Sequence, residues 1–196
     1  MPAMGAVRMP PVKPWRWTRA RYDEAVRTGL IDGDDPVELL DGLLVVREPQ
    51  SSRHAATSLL VREALQRAFK RGHHVRDHLP VALDAMSEPE PDLAVVAGRP
   101  RDYLRDHPAR PVLLVEIART SLAKDRVRKG ALYARAGLGE YWIVNLRDEV
   151  LEVYRDPVHD ARGSYRYRTV RILRRGASVT LLAAPSARIR VAALLP

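Results

Sequence analysis

The chain has no cysteine, which removes disulfides, thiolate zinc sites and cysteine nucleophiles together and fits a reducing compartment. Lysine is scarce as well. Of 33 basic residues only Lys13, Lys70, Lys124 and Lys129 are lysines. No apolar run approaches the ~18 residues of a membrane helix. The start, broken by Pro2, Pro10, Pro11 and Pro14, lacks the apolar stretch of a secretory signal and reads as a flexible extension over residues 1–17. A cytoplasmic location follows as the expectation. No glycine-rich run leads into a helix, so a phosphate loop is excluded, and nothing reads as a helix-turn-helix or zinc finger.

What is present is a chain of 196 residues, enough for one sizeable core and expected to form a single domain over residues 18–196. Apolar residues make up 46% and charged residues 29%, the balance of a globular protein. The net charge of +9 has two readings: a face for an anionic partner such as nucleic acid, or the general surface of an arginine-rich sequence.

Periodicity and punctuation give the elements. Thr18 caps a helix to about Arg27, stopped by Gly29. Val37–Leu40 and Leu43–Arg47 flank Asp41-Gly42, a strong hairpin signal. Ser51 or Ser52 caps a helix to about Arg71, with Leu59, Leu60, Ala64, Leu65, Ala68 and Phe69 at helical spacing. Extended stretches follow at 73–77, 79–83 and 92–96, then a helical turn at 102–106. Next come a strand at 112–117, a helix from Thr120 or Ser121 to Ala136, and strands at 140–146, 150–154, 165–173 and 179–182. Hairpins mixed with one strand–helix–strand crossover predict an α/β fold, a central mixed β-sheet flanked by helices on both faces.

Two apolar strands each carry one carboxylate near an end, Asp92 and Glu116. A hard cation such as Mg²⁺ or Mn²⁺ takes oxygen ligands and keeps several waters, so two carboxylates suffice to hold it. Lys124 and Lys129 follow within thirteen residues of Glu116, in a chain that otherwise chooses arginine. A buried lysine beside such an ion can stabilise a crowded phosphate or, with its pKa lowered by burial, help deprotonate water. Ordinary readings stand beside these. Asp92 can simply open a strand, Glu116 can pair with an arginine, and Asp125 with Lys129 can form a solvated i,i+4 pair worth ~0.3–0.5 kcal/mol. His73, His74 and His78 lack matching carboxylates and receive no role. Trp142 and Tyr141 read as core, and Gly137 and Gly139 as helix-end and turn residues.

The run Pro91-Asp92, Glu116 at a strand end, Asp125-Arg126-x-x-Lys129, Tyr133-Ala134-x-Ala136-Gly137 and Glu140-Tyr141-Trp142-Ile143-Val144 resembles the Uma family of restriction-endonuclease-like proteins, within the PD-(D/E)XK nuclease superfamily. The likeness extends outward to Val37–Gly42 and Ser52-Arg53-His54. It implies a restriction-endonuclease-like fold, Asp92, Glu116 and the Ile117 carbonyl as metal ligands, and a Mg²⁺- or Mn²⁺-dependent endonuclease acting on DNA as a homodimer. Ala118 stands where the superfamily usually places its lysine. The resembled family draws that lysine from the following helix, which points to Lys129, with Lys124 second. Glu38, His54 and Asp125 are accessory candidates. The alternative is a non-catalytic nucleic-acid-binding or interaction protein that keeps the fold, and RNA is an open substrate.

Overall fold

The computed structural model describes residues 13–161 and 163–196. Of the expected extension, residues 1–12 lie outside the described residues. Helix α1 spans Arg19–Arg27, with the Thr18 hydroxyl accepting from the Arg21 amide, as the capping pattern predicts. Strands β1 (Val37–Leu40) and β2 (Leu43–Val46) form the expected hairpin, with Asp41 and Gly42 both at positive φ. Helix α2 runs Ser52–Ala68, capped by Ser51, and ends earlier than Gly72 suggests because Phe69 leaves helical geometry to enter the core.

Six strands make the main sheet: β3 (His73–Asp77), β4 (Leu93–Ala97), β5 (Leu113–Ala118), β6 (Glu140–Asn145), β7 (Val150–His159) and β8 (Tyr165–Arg174). They lie in that order, all neighbours antiparallel except the parallel pair β5–β6. This is the mixed sheet expected from one crossover among hairpins. A small antiparallel pair, β9 (Ser178–Thr180) and β10 (Arg188–Arg190), stands apart.

Three expected elements shifted. Residues 79–83 join no ladder: Val81, Ala82 and Leu83 donate to Pro89, Pro108 and Ser87 respectively, with Pro80 interrupting the run. The helical turn falls at Pro100–Tyr103, where Pro100 opens it and the Asp102 carboxylate accepts from the Arg99 amide. Strand β7 runs five residues past Tyr154, through Pro157. Beyond Arg155 it pairs with β8 alone, the edge situation in which proline is tolerated.

Each face of the sheet is covered. On one, α2 (Val61, Leu65) and the carboxy-terminal segment (Leu181, Val191, Leu194) pack on Leu93, Val115, Trp142 and Val153. On the other, Leu132 and Tyr133 pack on Ala94, Leu114, Tyr141 and Ile143. Trp142 and Tyr141 are fully buried, one on each face. The helix on the second face is not regular. Its segment Lys124–Lys129 is π-helical, set between a short α-helical start at Leu122 and Ala123 and the α-helix Gly130–Arg135 (α3), with the Gly130 amide donating to the Asp125 carbonyl. Such π-turns hold one residue more than an α-turn and recur at functional sites.

Candidate active site

Strand register brings the two carboxylates together. The last β4–β5 pair is Leu93↔Val115, so one further step sets Asp92 opposite Glu116, with both side chains on the face covered by α3. The Asp92 carboxylate bends over the end of the ladder and accepts from the Ile117 amide at 2.6 Å. Glu38 comes from β1, on the hairpin packed over the same face. Its carboxylate accepts from the Glu90 amide at 3.1 Å.

Lys129, only 3% exposed, reaches into this group from the end of the π segment. Its Nζ lies 3.0 Å from Glu116 Oε1 and 3.1 Å from Glu38 Oε2. Tyr133, one turn on, donates its hydroxyl to the same Glu116 oxygen at 2.7 Å. The i,i+4 spacing of Asp125, Lys129 and Tyr133 thus marks a buried face and not a solvated one. Asp125 forms no ion pair with Lys129. It accepts from the Ser121 hydroxyl at 2.6 Å instead. Lys124 stands further out, 3.8 Å from Glu38 Oε1.

His54, in the first turn of α2, places Nε2 3.2 Å from Asp92 Oδ1. His78, given no role from sequence, stands 3.6 Å from the same oxygen and belongs to the site. It comes from a loop position at φ 51°, a conformation for which histidine is enriched and which sequence spacing does not announce. Tyr133 also went unassigned, although its four-residue offset from Lys129 was the available signal. All these groups line or back a cavity of about 670 Å³, with Arg119, Thr120 and Lys124 at its mouth.

The electrostatics are those of a crowded acidic centre. Burial, and then the charges of Asp125, Asp92 and Glu38, raise the Glu116 carboxyl well above the usual range despite Lys129. Burial also raises Asp125. For Lys129, burial favours the neutral amine, but Glu116 and Glu38 outweigh it and hold the group protonated. Of the two lysine roles open from sequence, the one that needs a lowered pKa does not fit, and the raised pKa favours the protonated amine. At His54, burial opposes the imidazolium, yet the hydrogen bond and charge of Asp92 raise its pKa.

Two features of this donor set bear on a hard divalent cation. Glu38 Oε1 is buried without a hydrogen-bond partner, and several carboxylates share few cations. Among the described residues no three His, Asp or Glu side chains converge on one point. The ligands that the family resemblance implies, Asp92, Glu116 and the Ile117 carbonyl, would leave a hard cation to complete its shell with water, as Mg²⁺ commonly does.

Comparison with known proteins agrees with this architecture. The Uma2 family, described as "Putative restriction endonuclease", matches residues 24–192. The chain belongs to the Uma2 family. The resemblance carried by Asp92, Glu116 and the Asp125–Val144 run is thereby upheld. The fold is similar to that of "a putative nuclease belonging to DUF820" from Anabaena variabilis ATCC 29413, at TM-score 0.68 and 15% identity, over 85% of this chain and 94% of that one. At that identity the likeness shows the restriction-endonuclease-like fold of this Uma2 chain. No curated protein matches it. Among the described residues no helix is long and apolar enough to cross a membrane.

Proposed function

We propose that the protein is a metal-dependent endonuclease that hydrolyses phosphodiester bonds in DNA. The observation that carries the reading is the meeting of the Lys129 amine with Glu116 and Glu38, beside Asp92, at the base of an open cavity. Asp92, Glu116 and the Ile117 carbonyl would hold Mg²⁺ or Mn²⁺, and the ion would supply Lewis-acid polarisation of the phosphate and a water of lowered pKa.

The chain's own groups do the rest. Lys129, protonated and desolvated, faces the phosphoryl oxygens with a fixed positive charge where negative charge grows during attack. Tyr133 holds the Glu116 carboxylate in place, and Glu38 holds the amine. His54 and His78 orient Asp92. Arg119 and Lys124 at the mouth meet the incoming anion. Cleavage of both strands of a duplex calls for two such sites, and we expect a homodimer in solution.

The test is cleavage of supercoiled, linear and single-stranded DNA, with RNA alongside, in Mg²⁺ or Mn²⁺. Wild type is compared with Asp92→Ala and Lys129→Ala. Activity that survives both substitutions defeats the assignment. Calorimetric titration with Mn²⁺ separates the non-catalytic reading, since binding that disappears in Glu116→Ala belongs to this site. Light scattering reports the oligomeric state.

A further inference from the structure

The sheet register carries the cavity mouth across to the far edge of the molecule. One transverse row runs Glu116–Ile143–Glu152–Ile172, and the parallel row at the end of the strands runs Ala118–Asn145–Val150–Arg174. Alternation puts the Arg174 side chain on the same sheet face as Glu116. Arg119 follows directly after Ala118 at the cavity mouth. Between them stands the turn joining β6 to β7, which presents Arg147.

That turn is pinned. Asn145 Oδ1 accepts from the amides of Arg147 at 3.0 Å and Asp148 at 2.9 Å. Its other amide atom donates to Asp148 and to the buried Glu152. Arg53, from the first turn of α2, and Arg175 approach Glu149 at 2.6 and 3.5 Å. Arg53, Arg119, Arg147, Arg174 and Arg175 thus outnumber Glu48, Asp148 and Glu149 along this rim. Among the described residues Arg119 and Arg174 have no carboxylate partner of their own.

We propose that this arginine rim, from Arg119 over the β6–β7 turn to Arg174, binds the sugar–phosphate backbone of duplex DNA flanking the cut. The proposal rests on the nuclease reading above and extends it to a footprint. Arg174 lies three inter-strand steps of ~4.8 Å from Ala118, and Ala118 lies two residues, about 7 Å, along β5 from Glu116, which together set Arg174 about 16 Å from Glu116. At ~3.4 Å per nucleotide along one strand, that is about five nucleotides from the scissile phosphate. A second copy of the chain is the less suitable occupant. Arg166, Arg168, Arg171 and Arg174 along the outer strand β8 would then face their own counterparts.

The experiment measures binding of fluorescent duplexes of graded length in Ca²⁺, over a range of salt. Wild type is compared with Arg147→Glu/Arg174→Glu and with a control of equal charge change, Arg71→Glu/Arg101→Glu. The control residues are exposed and lie at the opposite end of the sheet. Thermal unfolding verifies that each variant is folded. The rim variant should raise Kd by ~10-fold or more on long duplexes and reduce the slope of log K against log salt by about two. The gap should close on duplexes too short to reach Arg174, and the control should bind like wild type.

Equal loss in both variants means bulk charge and overturns the rim. So does no loss in either, or loss of self-association in the rim variant, which would mark a protein interface. If wild type binds and cuts DNA while the rim variant matches it, the rim alone falls. If wild type neither binds nor cuts nucleic acid, the nuclease reading falls and takes the rim with it.

Discussion

Two glutamates lie in the same row of the sheet, both almost completely buried, and their surroundings could hardly differ more. Glu152, on β7, receives Arg126 on both oxygens at 3.0 and 2.5 Å, Asn145 at 2.8 Å and Tyr154 at 2.7 Å. Burial alone would raise its pKa, but Arg126, Asn145 and Tyr154 outweigh it and lower it. Glu116, on β5, shares one lysine with Glu38 and is pushed upward. A buried carboxylate with its own counter-ion and full hydrogen bonding serves architecture. One left short of positive charge beside an open cavity has the character that the proposed cation site requires. Arg126 and Lys129 stand on the same π-helical segment, so the satisfied pair anchors the element that delivers the amine to the unsatisfied one.

The contrast breaks most sharply at Glu116. Glu116→Gln should abolish Mn²⁺ binding in calorimetry and lower cleavage by ~100-fold or more, while urea unfolding of the metal-free protein shows equal or greater stability, because one repelling charge is gone. A loss of several kcal/mol there would make Glu116 a structural ion-pair member like Glu152.

Arg126→Ala tests the other side. Glu152 would keep only neutral donors, and the expected cost is about 2–3 kcal/mol by urea unfolding, the lower end for a buried pair because the Arg126 side chain is 38% exposed. The pH dependence follows. A depressed pKa gives stability that is present above the unfolded carboxylate value of ~4.3 and lost as pH falls through the folded value. Arg126→Ala should flatten that acid limb.

Glu88 sharpens the comparison with the opposite slope. Burial first, and then Asp23, push its carboxyl to about 7. Its ionisation works against folding, so this contribution to stability declines as pH rises from the unfolded value through about 7. Glu88→Gln should therefore gain on the order of 1–3 kcal/mol at pH 8 and almost nothing at pH 4, read as Tm.

The smallest effect belongs to Tyr133→Phe. It removes one donor to Glu116 and should change stability by only about 1 kcal/mol. It should weaken Mn²⁺ binding by ~10-fold by loosening the ligand. Unchanged affinity would reduce Tyr133 to packing.

The two carboxylates were legible as candidates because strand-end acids in apolar runs are rare enough to notice, whereas the antiparallel register that brings them together came from the structure. Lys129 was pointed to by the family resemblance, with the scarcity of lysine and the four-residue offset of Asp125, Lys129 and Tyr133 in support. His78 was hidden, since a histidine brought in by a left-handed loop position has no period. Glu152 could have been read, standing between Leu151 and Val153 in a strand with no polar neighbour inside. The irregular helix could not, because extra length in a turn leaves no mark on composition. The sequence left two roles open for Lys129 for a related reason: burial was visible, but the second carboxylate from a distant hairpin was not.

That irregular helix has a consequence for chain length. The stretch from Lys124 to Lys129 contains a residue that a uniform spiral would have no room for, and the swelling sits between the arginine that is anchored and the amine that is aimed. Excising one solvent-facing position such as Val127 would restore the ordinary pitch, keep every charged group of the site, and rotate the amine out of line with the acid below it. The spacing between anchor and amine, and not only their identities, is therefore a heritable part of this centre.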